Sequence, residues 1–237
     1  AVWCCGEGHG CVTLGHMRPR RVLTTCVLCL CAFAAMAACD KQAPEKAAIR
    51  QAFKDLEQAY AENKGHHASE LVTPESLTYY GELLRVAMDG KPEEVKKRPT
   101  MDRFEIYTIR HNANRKALKG LDGRGYQTFT TDQGWWSDPD LESWTESLHS
   151  IKIDSSGAKA WTYIMEGGRP TSYRVNFEKI DGRWRIDELS IREYSGRIIE
   201  ESAQRERMNV EEYMFKLIEY ESGRPVDREA VQRPMPK

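Results

Sequence analysis

Between Leu148 and Ile191, apolar and polar residues alternate in four short runs: Leu148–Asp154, Ala158–Met165, Thr171–Lys179 and Arg183–Ile191. The breaks are Ser155-Ser156-Gly157, Gly167-Gly168-Arg169-Pro170 and Asp181-Gly182. All are turn chemistry, and Asp-Gly is the strongest short hairpin signal. Short connections make successive strands antiparallel neighbours, so this stretch predicts a four-stranded meander. Trp161, Tyr163, Tyr173, Val175, Phe177, Trp184 and Ile186 carry the alternation, and one face is expected to pack on helices.

Upstream the period changes to that of a helix. Ile49, Phe53, Leu56 and Tyr60 recur at steps of four, three and four, with Pro44 and Glu45 suited to a first turn and Asn63-Lys64-Gly65 to an end. Thr73-Pro74-Glu75 starts a second helix, with Leu77, Tyr80, Leu84 and Ala87 on one side and Asp89-Gly90 as its stop. Pro92 opens a charged turn to Arg98. Met101–His111 fits a helix slightly better than a strand. Leu118–Gly125 reads as a polar connection, and Tyr126–Gly134 as a strand or an irregular arm closed by Trp135-Trp136. One of these two tryptophans is expected in the core and the other toward a membrane or partner. Downstream, Gly196–Arg207 reads as an exposed helix. Asn209 and Glu212 form a capping-box pattern before a helix from Val210 to Ser222 with the stripe Val210, Met214, Leu217 and Tyr220. Gly223 ends it, and 224–237 reads as a tail. The whole predicts an α+β domain, helices packed on a curved antiparallel sheet, with an added C-terminal helix. The expected boundaries are 45–193 for the domain and 194–223 for the C-terminal helical segment.

The chain has 237 residues, and all seven cysteines lie at or before Cys39. The remainder has no disulfide, thiolate metal site or cysteine nucleophile to draw on, and its core must supply its stability. Lys and Arg total 35 against 36 Asp and Glu. Three Arg and one Glu precede Asp40, so the rest is acidic by three, which gives no nucleic-acid footprint. Residues 1–16 read as a mis-called or added extension, because Met17 opens a far better start. Cys4, Cys5, Cys11, His9 and His16 within it match no zinc spacing, and the adjacent His66 and His67 do not share a helical face.

From Met17 the pattern is that of a secretory signal: Arg18, Arg20 and Arg21, then an uncharged, mostly apolar run of 14 residues from Val22 to Ala35, then Met36-Ala37-Ala38-Cys39. The run is short for a spanning helix, which needs about 20 residues. The stretch resembles a bacterial lipoprotein signal, with 17–38 removed and 39–44 left as a tether. The resemblance implies lipidation of Cys39, a membrane partner through that lipid, and a place in the cell envelope. Asp40 after the cysteine resembles an inner-membrane retention signal. An ordinary cleaved signal is the alternative.

The helix Ala47–Asn63, the segment Leu71-Val72-Thr73-Pro74-Glu75-Ser76, the pair Tyr79-Tyr80 and the hairpin Gly182-Arg183-Trp184-Arg185-Ile186-Asp187 together resemble the nuclear transport factor 2 (cystatin-like) superfamily. The resemblance implies a conical pocket between sheet and helices. Enzymes of that fold place an acid or base on its floor, while other relatives are binding or assembly modules. Candidate cavity residues are Tyr80, His111, Asp132 and His149. Asp132 reads as a turn residue, His111 as part of a polar loop, Tyr80 as core, and His149 as inward or solvated. No pair of carboxylates, nucleophile–base arrangement, phosphate loop, metal set or cofactor motif stands out. The leading expectation is a tethered, non-enzymatic binding or assembly domain that meets an envelope protein. The alternative is an isomerase- or dehydratase-like enzyme, or a ligand carrier, using the cone. An inward cavity with two or more convergent polar side chains favours the alternative.

Overall fold

A computed structural model of the chain describes residues 41–135, 148 and 150–237. The compact unit is Pro44–Lys237. Among the described residues, seven helices precede the sheet: α1 (Ala43–Ala61), α2 (Gly65–Leu71), α3 (Pro74–Asp89), α4 (Pro92–Lys96), α5 (Thr100–Asn112), α6 (Arg115–Leu118) and α7 (Gly123–Asp132). The strands are β1 (Lys152–Ile153), β2 (Lys159–Glu166), β3 (Arg169–Ile180) and β4 (Arg183–Asp187). Three helices follow: α8 (Leu189–Arg205), α9 (Val210–Ser222) and α10 (Arg228–Gln232). The class is α+β.

The sheet runs β1-β2-β3-β4, antiparallel throughout. Asp181 and Gly182 both take positive φ, 51° and 76°, as a two-residue hairpin between right-twisted strands requires. Ala160 stands opposite Phe177, Thr162 opposite Val175, and Phe177 opposite Ile186, and all five are buried. Trp161 and Tyr163 therefore point the other way, where the Arg174 guanidinium lies over both rings at 5.7 and 5.2 Å. The alternation was thus carried by two opposite faces. The segment joining α2 to α3 docks on the far strand, with a parallel bridge Val72–Ile186 and the Thr73 amide donating to the Ile186 carbonyl at 2.9 Å.

Several expected elements differ. The first strand shortens to Lys152–Ile153, although Leu148 and Ile151 are buried. The fourth ends at Asp187, whose Oδ1 accepts the Leu189 amide at 3.1 Å and turns the chain into α8. Tyr126–Gly134 is not a strand: α7 starts on Asp122, whose carboxylate accepts from Gly125 N at 2.7 Å. Its inward positions are Tyr126, Gln127, Thr130 and Thr131, and the Thr130 hydroxyl bonds back to the Tyr126 carbonyl. The inward face of α9 is Met214, Phe215 and Ile218, with Val210 and Leu217 at its margin and Tyr220 exposed. Asn209 caps α9 through the Glu211 amide at 2.8 Å, while Glu212 pairs with Arg228. The helix docks on its own domain, Phe215 against Tyr107 of α5 at 5.4 Å between ring centres. The tail is not loose: it holds α10, buries Val226, Val231 and Met235, and Met235 N donates to the Met88 carbonyl at 3.0 Å.

α3 and α7 cross where both carry glycine. A Cβ on Gly123 would lie 1.6 Å from the Leu77 carbonyl oxygen, and one on Gly81 3.4 Å from Gly123 N. Gly123→Ala should therefore push the helices apart and cost about 3 kcal/mol or more, read as a lowered midpoint in denaturant unfolding. An unchanged midpoint would contradict this packing.

Candidate functional site

Five elements deliver polar side chains to one place. Adjacent residues on a helix point in different directions, so Tyr79 and Tyr80 of α3 take different partners. Tyr80 donates to Glu188 Oε2 at 2.8 Å, and Tyr79 donates to Asp102. Tyr60 of α1 donates to Glu188 Oε1. Gln127 of α7 donates to the Tyr60 hydroxyl at 2.6 Å, and Ser76 accepts from the Glu188 amide at 3.1 Å. Glu188 sits at the junction of β4 and α8, 8% exposed.

One turn on, Arg192 reaches toward α5. Asp102 and Glu105 are three residues apart and so share a face of that helix. Arg192 Nη2 meets Asp102 at 2.9 Å, and Nη1 meets Glu105 at 2.6 Å. Both carboxylates are about 1% exposed. Tyr126 donates to the second Glu105 oxygen at 2.6 Å. The guanidinium also lies over the Tyr79 and Tyr80 rings at 5.5 and 5.7 Å.

These groups border a cavity of about 210 Å³. Phe53, Leu56, Met101 and Ile191 give it apolar walls. Tyr60, Tyr80, Gln127 and Glu188 lie on one side, and Glu57, Glu105, Arg192 and Ser195 complete the lining. Burial raises the Glu188 pKa above the usual carboxylate value, against the pull of the Tyr60 and Tyr80 hydrogen bonds and the Arg192 charge. Burial and the facing Glu188 charge push the Tyr60 and Tyr80 phenols well above their ordinary range. Burial opposes the Arg192 charge, but Glu105 and Asp102 outweigh it and hold the guanidinium ionised. A carboxyl whose pKa is raised by burial, facing a partly apolar cavity, can hold a hydrogen-bond donor or exchange a proton with an occupant.

Of the residues singled out from the sequence, the cavity contains Tyr80, which is both core and lining. Asp132 instead accepts the Gly65 amide at 2.7 Å and caps the start of α2. His111 lies in α5, not a loop, and its Nε2 meets the Ser222 hydroxyl at 2.9 Å, joining α5 to the end of α9. Burial, then the nearby Arg224, lowers its pKa. Neither lines the cavity. Trp135 is half-buried, edge-on to Phe129 at 5.7 Å. His149, Trp136, Cys39 and Asp40 lie outside the described residues. No carboxylate pair stands out in the sequence, yet Asp102 and Glu105 meet on Arg192, one turn from Glu188. The available signals were Asp102 and Glu105 at a spacing of three, and Glu188 and Arg192 at a spacing of four directly after a strand. No family model, curated protein or solved structure matches the chain.

The raised Glu188 value means that the folded state holds a proton the unfolded chain releases. That contribution to stability is complete below the ordinary carboxylate value of 4.5 and is lost as pH rises through the folded value. Glu188→Gln cannot ionise. Its melting temperature relative to wild type should therefore rise as pH increases above the ordinary value of 4.5 in thermal unfolding, and a flat difference would contradict the assignment. Arg192→Met leaves two buried carboxylates uncompensated and should cost about 3–5 kcal/mol at neutral pH. Denaturant unfolding measures that loss, and an unchanged midpoint would contradict the pairing.

Proposed function

We propose that Pro44–Lys237 is a small-molecule-binding domain of a bacterial cell envelope, held at a membrane by lipid on Cys39, with its ligand in the cavity beside Glu188. The carrying observation is the convergence of Tyr60, Tyr80 and Gln127 on one buried carboxyl at the edge of that cavity. Ligand sites combine apolar walls with a few placed polar groups in this way. The cavity favours a small occupant over a partner protein as the domain's business. Support for the anchor is the charge, apolar run and cysteine of residues 17–39, and Asp40 favours the periplasmic face of the inner membrane. The antiparallel meander with helices packed on it is compatible with the cone of the nuclear transport factor 2 superfamily, which supports the same reading.

A second reading has its own observation. Glu188 faces the cavity between two phenols with its pKa raised by burial, a setting suited to proton transfer of the isomerase or dehydratase kind.

A fragment library screened against the full chain in detergent should give ligands that raise the melting temperature of wild type. Ile191→Trp, which fills the cavity, should bind none of them. Equal shifts in both proteins would refute the cavity as the site. In cells, Cys39→Ala should move the protein from the membrane fraction to an uncleaved or soluble form. An unmodified amino terminus in the intact mass of wild type would refute lipidation.

A further inference from the structure

Three carboxylates line the cavity, Glu57, Glu105 and Glu188, against one guanidinium. That guanidinium is already committed. Arg192 Nε and Nη2 bond Asp102 at 3.2 and 2.9 Å, and Nη1 bonds Glu105 at 2.6 Å. Glu105 is committed in turn, one oxygen to Arg192 and the other to Tyr126. The carboxyl that an occupant meets with hydrogen-bonding capacity to spare is therefore that of Glu188.

Glu188 has acceptor capacity to spare. A carboxylate offers about four acceptor positions. Oε1 takes Tyr60, and Oε2 takes Tyr80 with Gln127 more distant at 3.4 Å. The rings of Phe53, Tyr60 and Tyr80 border the same space, and aromatic faces attract cations. Leu56, Met101 and Ile191 leave the rest of the space apolar.

We infer that the occupant is a small organic cation, a protonated amine on a compact apolar body, with its nitrogen on Glu188. The inference rests on the cavity being a ligand site. A carboxylate or phosphate would face Glu188, and Arg192, the cation among the described lining residues, is already bonded to Asp102 and Glu105. A bare metal ion needs several close oxygen ligands, and no group of three His, Cys, Asp or Glu among the described residues is arranged to supply them. An alcohol makes the same hydrogen bond to Glu188 without the charge. An ammonium group gains both, and it offsets the cost of burying the carboxylate.

Benzylammonium, benzyl alcohol and benzoate separate these cases, being alike in size and differing in charge. Each is titrated into the full chain in detergent and read by ligand-observed NMR and calorimetry at neutral pH. Benzylammonium should bind about tenfold or more tighter than benzyl alcohol, and benzoate should not bind. Glu188→Gln should weaken benzylammonium about tenfold and leave benzyl alcohol nearly unchanged. Equal binding of the amine and the alcohol, or tighter binding of benzoate, overturns the cation and leaves the cavity as a ligand site. No binding of any probe, with no difference between wild type and Ile191→Trp, overturns both.

Discussion

Arg192 is the point on which the interior depends. It leaves α8 one turn after Glu188, bridges Asp102 and Glu105 on α5, and lies across two tyrosine rings of α3. A buried ion pair of this kind contributes little net stability over a hydrophobic replacement, because all three charges must leave water. Its leverage is in specificity. With two carboxylates fixed on one face of α5, only one rotation and one height of α8 bring the guanidinium onto both. That setting in turn puts Glu188 beside Tyr60 and Tyr80 and leaves the cavity where it is.

Tyr80 links the two halves of the polar interior. Its hydroxyl holds Glu188 while its ring carries Arg192, so the cation is near enough to the carboxyl to moderate its titration without pairing to it. The Arg192 charge is directed to Asp102 and Glu105. Glu188 keeps its phenol partners and its face toward the cavity. One buried guanidinium and three buried carboxylates are thereby sorted into an ion-paired set and a carboxyl on the cavity wall.

What the sequence disclosed follows from what fills the inward positions. Ile49, Phe53, Leu56 and Tyr60, and Leu77, Tyr80, Leu84 and Ala87, are apolar or nearly so, and α1 and α3 were legible from their spacing. The hairpin at Asp181-Gly182 was legible because few other residues accept positive φ at both places. α7 was misread because its inward residues are Tyr126, Gln127, Thr130 and Thr131, which leave no apolar stripe: Tyr126 and Gln127 bond to other elements, and Thr130 bonds back to its own helix. The start of α8 was misread for the same reason. Glu188, Arg192, Ser195 and Ile199 recur at steps of four, three and four, a helical face on which three of four residues are polar. The candidate site is built from those positions, so a search guided by apolar periodicity passes over it. The histidines drew attention by chemistry alone, and His111 serves a helix end.

Arg110 gives α5 a second anchor at its other end. Its guanidinium donates to the carbonyls of Val86, Ala87 and Gly90 where α3 stops, and of Val231 in α10. Burial lowers its pKa to about 10, which still leaves it charged at neutral pH. α5 is thus a strut about 20 Å long. One end clamps Arg192 beside the cavity, and the other is riveted to the last residues of the chain. A strut fixed at both ends carries displacement along its axis. The helix that sets Arg192 beside the cavity is therefore also the one that holds Val231 and the end of α3 in place, so the two regions share one support.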